Sequence, residues 1–371
     1  MKILWFTWKD KKNPFSGGAE IVNEELAKRL VQDGNEVILI VAGFKGALSE
    51  EIIDGYKIIR LGDCWTVYWQ AYKYYKKHFI GWADSVIDEV NAVPFFCKFY
   101  VKERNIILSY QLCREIWFYQ MFFPLNLIGY LIEPIYLWLL RKNYVLTESE
   151  STKKDFQKYG FKNDKISVFP IGLEIGPISE EEFNNQKKEE NFTILYLGTI
   201  RNMKRPDQII KAFELAKKDI KNLKLWIVGG GGGKYFGKIM LLIDTCKYKN
   251  DITYFGKVDN YKKLEIIKKC HLLCVTSVKE GWGIVVTEAN SQGTPAVAYN
   301  VDGLRDSVKN NVTGIVCQQN TPENLATNIV NLLDNNNKER YNKLRKEAWE
   351  WSKQFNYNNS YEQFIKIINK I

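Results

Sequence analysis

Histidine is nearly missing: His78 and His271 are the two in 371 residues. The seven cysteines, Cys64, Cys97, Cys113, Cys246, Cys270, Cys274 and Cys317, are odd in number and form no C-x-x-C pair. These shortages argue against a structural zinc site and for a reducing compartment rather than a disulfide framework. The amino-terminal run MKILWFTWKDKK is too short for the apolar core of a signal peptide and lacks a small-residue cleavage site, so a cytoplasmic location is expected. No low-complexity run signals a long tail, and 46% apolar with 14% aromatic residues excludes extended disorder. A chain of this length exceeds one ordinary core, and two domains are expected.

Acidic charge is scarce only in the later part. Residues 1–150 balance 18 Lys/Arg against 18 Asp/Glu, so the net +10 arises entirely from residues 151–371. Residues 201–250 carry 12 basic and 4 acidic side chains. No aromatic and basic recognition motif accompanies these lysines, which disfavours a nucleic-acid partner and fits a phosphate site on a lysine-rich surface.

The apolar pattern gives the organisation. KILWFTW reads as a buried strand, residues 19–33 as an amphipathic helix ending at Gly34, and NEVILIVAG as a second strand. Strand, glycine-rich turn, helix and strand make a β-α-β unit and a parallel sheet. YKIIRLG, SVIDEV and NIILSY extend it; from residue 191 the alternation restarts with FTILYLG, RPDQIIKAFELAKK, LKLWIVG, DITYFG, LLCVTS and TPAVAYN. A polar, Pro/Gly-punctuated stretch, residues 174–191, separates the halves. The expected boundaries are 1–185 and 186–350.

Two segments have another possible use. Residues 116–140 are almost continuously apolar, but Pro124, Asn126, Glu133 and Pro134 argue against a spanning helix, leaving domain core or shallow contact with a membrane or lipid acceptor. Residues 64–82 mix Trp and Tyr with Lys73, Lys76 and Lys77, as a surface or membrane-interface helix would.

The stretch CVTSVKEGWGIVVTEANSQGTPAVAYN, residues 274–300, carries the chemistry. It follows a parallel strand, so Glu280 lies at the carboxyl edge of a sheet, where open α/β folds bind ligands. Gly281 and Gly283 let backbone approach a ligand, and the helix that follows offers free N–H groups to an anion. Glu288 falls roughly 8 Å further along that helix. Carboxylates so separated suit the two ends of an extended ligand better than one acid/base reaction.

Ser277, Glu280, Gly281, Trp282, Gly283, Glu288, Ala289, Gly293 and Pro295 are similar, in register, to the signature of retaining glycosyltransferases of the GT-B fold, family 4 type. Further along the chain, GGAE (Gly17 to Glu20), Ser149 and Ser151, Pro170 to Glu174, and Phe255 to Val258 resemble other family segments. The resemblance implies two Rossmann-like doubly wound parallel-sheet domains facing across a cleft, with a carboxyl-terminal helix, 351–371, returning to the first.

The resemblance also assigns roles. Glu280 would hold the donor sugar, Glu288 the ribose, and Phe255, Gly256 and Val258 the nucleoside base. Lys204, with Gly281, Trp282, Gly283, Ile284 and Val285, would hold the diphosphate, while Gly17 and Gly18 would lie near donor and acceptor. The family pattern places arginine two residues into GTIRNMKR, after Gly198, where this chain has Thr199; Arg201 is the preferred substitute over Arg205. Tyr110 stands where relatives often carry histidine. GGGGGK, residues 229–234, fails the P-loop pattern at Val228 and Tyr235. The implied activity is metal-independent, retaining transfer from a UDP-, GDP- or ADP-sugar to a glycan or lipid-linked acceptor, at the inner face of the membrane or free of it. A sugar-nucleotide epimerase and a non-catalytic nucleotide-sugar binder are the alternatives.

Overall fold

The structure is a computed structural model that describes residues 1–371, the side chain at position 335 excepted. The chain divides into two compact units. The first comprises Met1–Trp117, Phe122–Gly172 and Asn356–Ile371; the second comprises Phe118–Met121 and Leu173–Phe355.

In the first unit the elements run β1 (Lys2–Phe6), α1 (Gly18–Gln32), β2 (Glu36–Ala42), β3 (Glu50–Ile53), β4 (Tyr56–Leu61), α2 (Val67–His78), β5 (Ser85–Glu89), β6 (Arg104–Leu108), α3 (Leu125–Leu140), β7 (Tyr144–Thr147) and β8 (Ile166–Val168). They form one sheet of order β3-β4-β2-β1-β5-β6-β7-β8. Ile3 to Phe6 in β1 are fully buried, because helices cover both faces of the central strands. All pairings are parallel except β3 with β4. That edge hairpin turns on Asp54 and Gly55, both at positive φ, the geometry an Asp-Gly pair adopts readily.

The second unit runs β9 (Thr193–Leu197), α4 (Pro206–Ala216), β10 (Lys224–Val228), β11 (Ile252–Gly256), α5 (Asn260–Lys269), β12 (Leu272–Val275), α6 (Ile284–Ser291), β13 (Ala296–Ala298) and β14 (Gly314–Val316). Its sheet is wholly parallel, of order β11-β10-β9-β12-β13-β14. The stretch read as a linker contains one short helix, Glu180–Asn184, started by a Ser179/Glu182 capping box.

The last helix, α7 (Tyr357–Lys370), belongs to the first unit. Its buried Phe364 lies 6.0 Å from Trp5 in a stacked arrangement and 5.5 Å from Phe169 edge-on, and Tyr361 donates to Asp33. Among the described residues no helix is long and apolar enough to cross a membrane.

Candidate functional site

Both sheets reverse direction of strand addition once, at β1/β5 and at β9/β12. At such a switch the loops leaving the two strands diverge and open a crevice at the carboxyl edge.

In the second unit the loops after β9 and β12 are laced together. The Arg205 guanidinium donates to the carbonyls of Thr276 (2.7 Å) and Ser277 (2.9 Å), and Thr276 Oγ1 donates to those of Lys204 and Arg205. Arg205 therefore holds backbone. Arg201, by contrast, is exposed. Lys204 forms an ion pair with Glu280, whose Oε1 also accepts from Ser277 Oγ at 2.5 Å. Glycine's freedom is needed nearby: Gly229 packs so closely on Gly198 that an added Cβ would sit 1.9 Å from the Gly198 carbonyl oxygen. Thr199 is exposed, and its carbonyl accepts from Tyr196.

Gly283 precedes α6 at φ +90°, with Ile284 and Val285 opening the helix. Trp282 stacks on Trp351 at 6.1 Å and meets Phe355 edge-on at 5.6 Å, anchoring the loop that bears Glu280 and Gly281. One turn into α6, Glu288 pairs with Lys263 of α5 at 2.6 Å. Burial raises the Glu288 carboxyl above its usual range against the pull of Lys263. Glu288, Lys263, Glu174, Ile175, Asn260 and Leu264 line a small pocket. Phe255, Gly256 and Val258 follow or end β11, two strands from β9 on the far side from β12.

In the first unit, exposed Gly17 and Gly18 start α1, the Gly17 N–H donating to Glu20. Beneath them lies a buried chain of polar groups. Tyr110 donates to Asn23 (2.6 Å), and Asn23 donates to Glu89 (2.6 Å), the last residue of β5. Desolvation pushes the Glu89 carboxyl up to about 7, with Thr7 and Asn23 opposing and Glu20 adding to it. Tyr110 thus spends its hydroxyl inside the protein. The sequence reading missed Glu89, Asn23 and Lys263. Glu89 at a strand's carboxyl end was a usable signal, whereas Lys263 is one of four lysines in α5 and only the fold distinguishes it.

Neither histidine stands at a carboxyl edge by β9/β12. His271 precedes β12 at its amino end, accepts the Thr193 N–H, and is held neutral by burial, its pKa lowered to about 3; His78 ends α2 and is exposed. This weakens the epimerase alternative, which needs groups for proton transfer. Among the described residues no cluster of His, Cys, Asp and Glu could hold a metal ion.

Two family descriptions match consecutively, Glycosyltransferase Family 4 over residues 16–176 and Glycosyl transferases group 1 over residues 177–351. The chain belongs to the family 4 glycosyltransferases of the GT-B fold. Within this family it is 29% identical, over 62% of its length and 59% of the relative's, to an uncharacterised glycosyltransferase of Methanocaldococcus jannaschii. The chain spans about half the length of several curated relatives it matches. Among solved structures, a sucrose-phosphate synthase from Thermosynechococcus elongatus superposes with a TM-score of 0.81 at 17% identity, covering 100% of this chain and 98% of that one. HepE of Anabaena, solved in complex with UDP-glucose, gives 0.75 at 17% identity over 100% of both chains. At these identities the likeness is one of fold.

Proposed function

We propose that the protein transfers a sugar, with retention of anomeric configuration, from a nucleotide-sugar to a hydroxyl of a glycan or lipid-linked saccharide. The observation that carries this reading is the arrangement around α6: an acid–lysine pair on the β9/β12 loops before the helix, and a second such pair one turn inside it. Between them the helix start presents N–H groups of the kind that bind diphosphate.

In this reading Glu288 and Lys263 take the ribose hydroxyls, and Phe255, Gly256 and Val258 border the base. Lys204, Arg201 and the amides of Gly281 to Val285 receive the diphosphate, and Glu280 takes hydroxyls of the donor sugar while orienting Lys204. The cations bind the leaving group more strongly as its charge grows, so they favour the transition state over bound donor. The C1–O bond to phosphate breaks, the acceptor oxygen bonds C1 from the same face, and the departing phosphate oxygen takes the acceptor's proton. No metal is required, since lysine, arginine and the helix start supply the positive charge.

A panel of UDP-, GDP- and ADP-sugars, read by thermal shift and donor consumption, tests the proposal; HepE's complex makes UDP-glucose the first donor to try. At least one donor should raise the melting temperature and be consumed, at a rate EDTA leaves unchanged. Glu288→Ala should weaken nucleotide binding by about 1–3 kcal/mol. Tight nucleotide binding without turnover across donors and acceptors would instead support a non-catalytic binder.

A further inference from the structure

The outer face of α3 is left uncovered by the described residues. Leu127, Ile128, Leu131, Ile132, Ile135 and Trp138 are all exposed, and at 3.6 residues per turn they fall within one arc of about 140°. Phe122 and Phe123, 70% and 75% exposed, extend the apolar surface before the helix begins. The opposite arc, with Tyr136, Leu137 and Leu140, is buried against the first unit's core. Glu133 is the one acid between residues 116 and 142, and it too points inward, accepting from the Cys113 and Arg114 N–H groups and the Trp117 indole.

Cations gather where this face ends. Arg141 lies over the Trp138 ring at 3.9 Å, Lys165 donates to the Lys142 carbonyl, and Lys98 donates to Asn143. None of these four cations is in an ion pair among the described residues. They are close enough that burial, then repulsion from Lys142, Lys165 and Arg141, lowers the Lys98 pKa. A protein interface carries roughly one hydrogen bond per 100–200 Å², yet this face exposes hardly a polar group along its length. A bilayer asks for none. With 16 residues the helix is about 24 Å long, short of a 30 Å hydrocarbon core, while its one-sided apolar arc and terminal cations suit a helix lying in the headgroup plane.

We propose that α3, with Phe122 and Phe123 before it and Arg141, Lys142, Lys98 and Lys165 after it, docks the first unit on an anionic lipid bilayer. The aliphatic arc enters the acyl boundary, Trp138 sits at the headgroup level, and the cations meet lipid phosphates. The inference is independent of donor chemistry.

Sedimentation of the full chain with vesicles tests it, comparing phosphatidylcholine alone with phosphatidylcholine mixed with phosphatidylglycerol. The protein should sediment with the mixed vesicles, and release should follow as salt approaches about 1 M, where screening acts within about 3 Å. Arg141→Gln with Lys142→Gln should weaken binding about twentyfold, close to fivefold per cation. Leu131→Asp with Ile135→Asp should abolish binding, and both variants should keep the parent's melting curve, since the replaced side chains are not in the core. Failure to sediment with either vesicle would overturn the proposal. So would undiminished binding by the aspartate variant, or a dimer in ultracentrifugation that the same variant dissociates, which would make a second copy of the chain the occupant.

Discussion

Lys204 and Glu280 are held by each other and by Ser277, so removing either member of the pair leaves a charge stranded in a partly enclosed site. A structural and a chemical role are separable here. Lys204→Met and Glu280→Gln should each reduce kcat by about 10²-fold or more, the scale for losing one transition-state contact. The double variant should recover melting temperature without recovering kcat; recovery of both would reduce the pair to scaffolding. Glu89 offers a test by pH. Its carboxyl is raised to about 7 in the folded protein, so its favourable share of stability is fully present below about 4.5 and is lost as pH rises through 7. The stability gap between Glu89→Gln and the parent should therefore shift in the variant's favour by roughly 3 kcal/mol between pH 4.5 and 8, measured by denaturant unfolding of the first unit. A pH-independent gap would mean that Glu89 is ionised throughout.

At the scale of elements, the start of α6 depends on Gly283. Its φ of +90° is strained for other residues, and an added Cβ would sit 2.9 Å from Leu304 Cδ2. Gly283→Ala should destabilise the second unit by about 1–3 kcal/mol and weaken nucleotide binding, checked by differential scanning calorimetry and titration. This loop was also the most legible part of the sequence. Glycines that force backbone geometry, acids at fixed spacing and a following helix are local facts, and Glu280, Trp282 and Glu288 could be picked out before any fold was known. The parallel strands were equally plain, because burial on both faces makes β1, β2 and β9 continuous apolar runs. The edge strand β3 was not read, since EEII lacks such a run, although Asp54-Gly55 marked its turn. The lacing of Arg205 onto the β12 loop and the pairing of Lys263 with Glu288 join residues 72 and 25 positions apart. A linear pattern does not record which of many lysines and arginines makes such a contact.

At the scale of the whole molecule, the first unit is discontinuous: the chain leaves it after Gly172 and re-enters at Asn356. Phe364 of α7 covers Trp5 and Phe169, all fully buried. A fragment ending at Gly172 should thus bind a hydrophobic dye and melt well below the full chain, and adding residues 356–371 as a peptide should raise its melting temperature. Equal melting with and without the peptide would show that α7 is dispensable. The same discontinuity bears on synthesis. At about 5–20 residues per second, the ribosome needs on the order of ten to forty seconds to make the intervening segment. Throughout that interval the nascent amino-terminal half carries an uncovered aromatic seam. Its maturation waits on the final stretch to be translated, so a stalled or prematurely terminated message yields a sticky half-product and a natural target for chaperones.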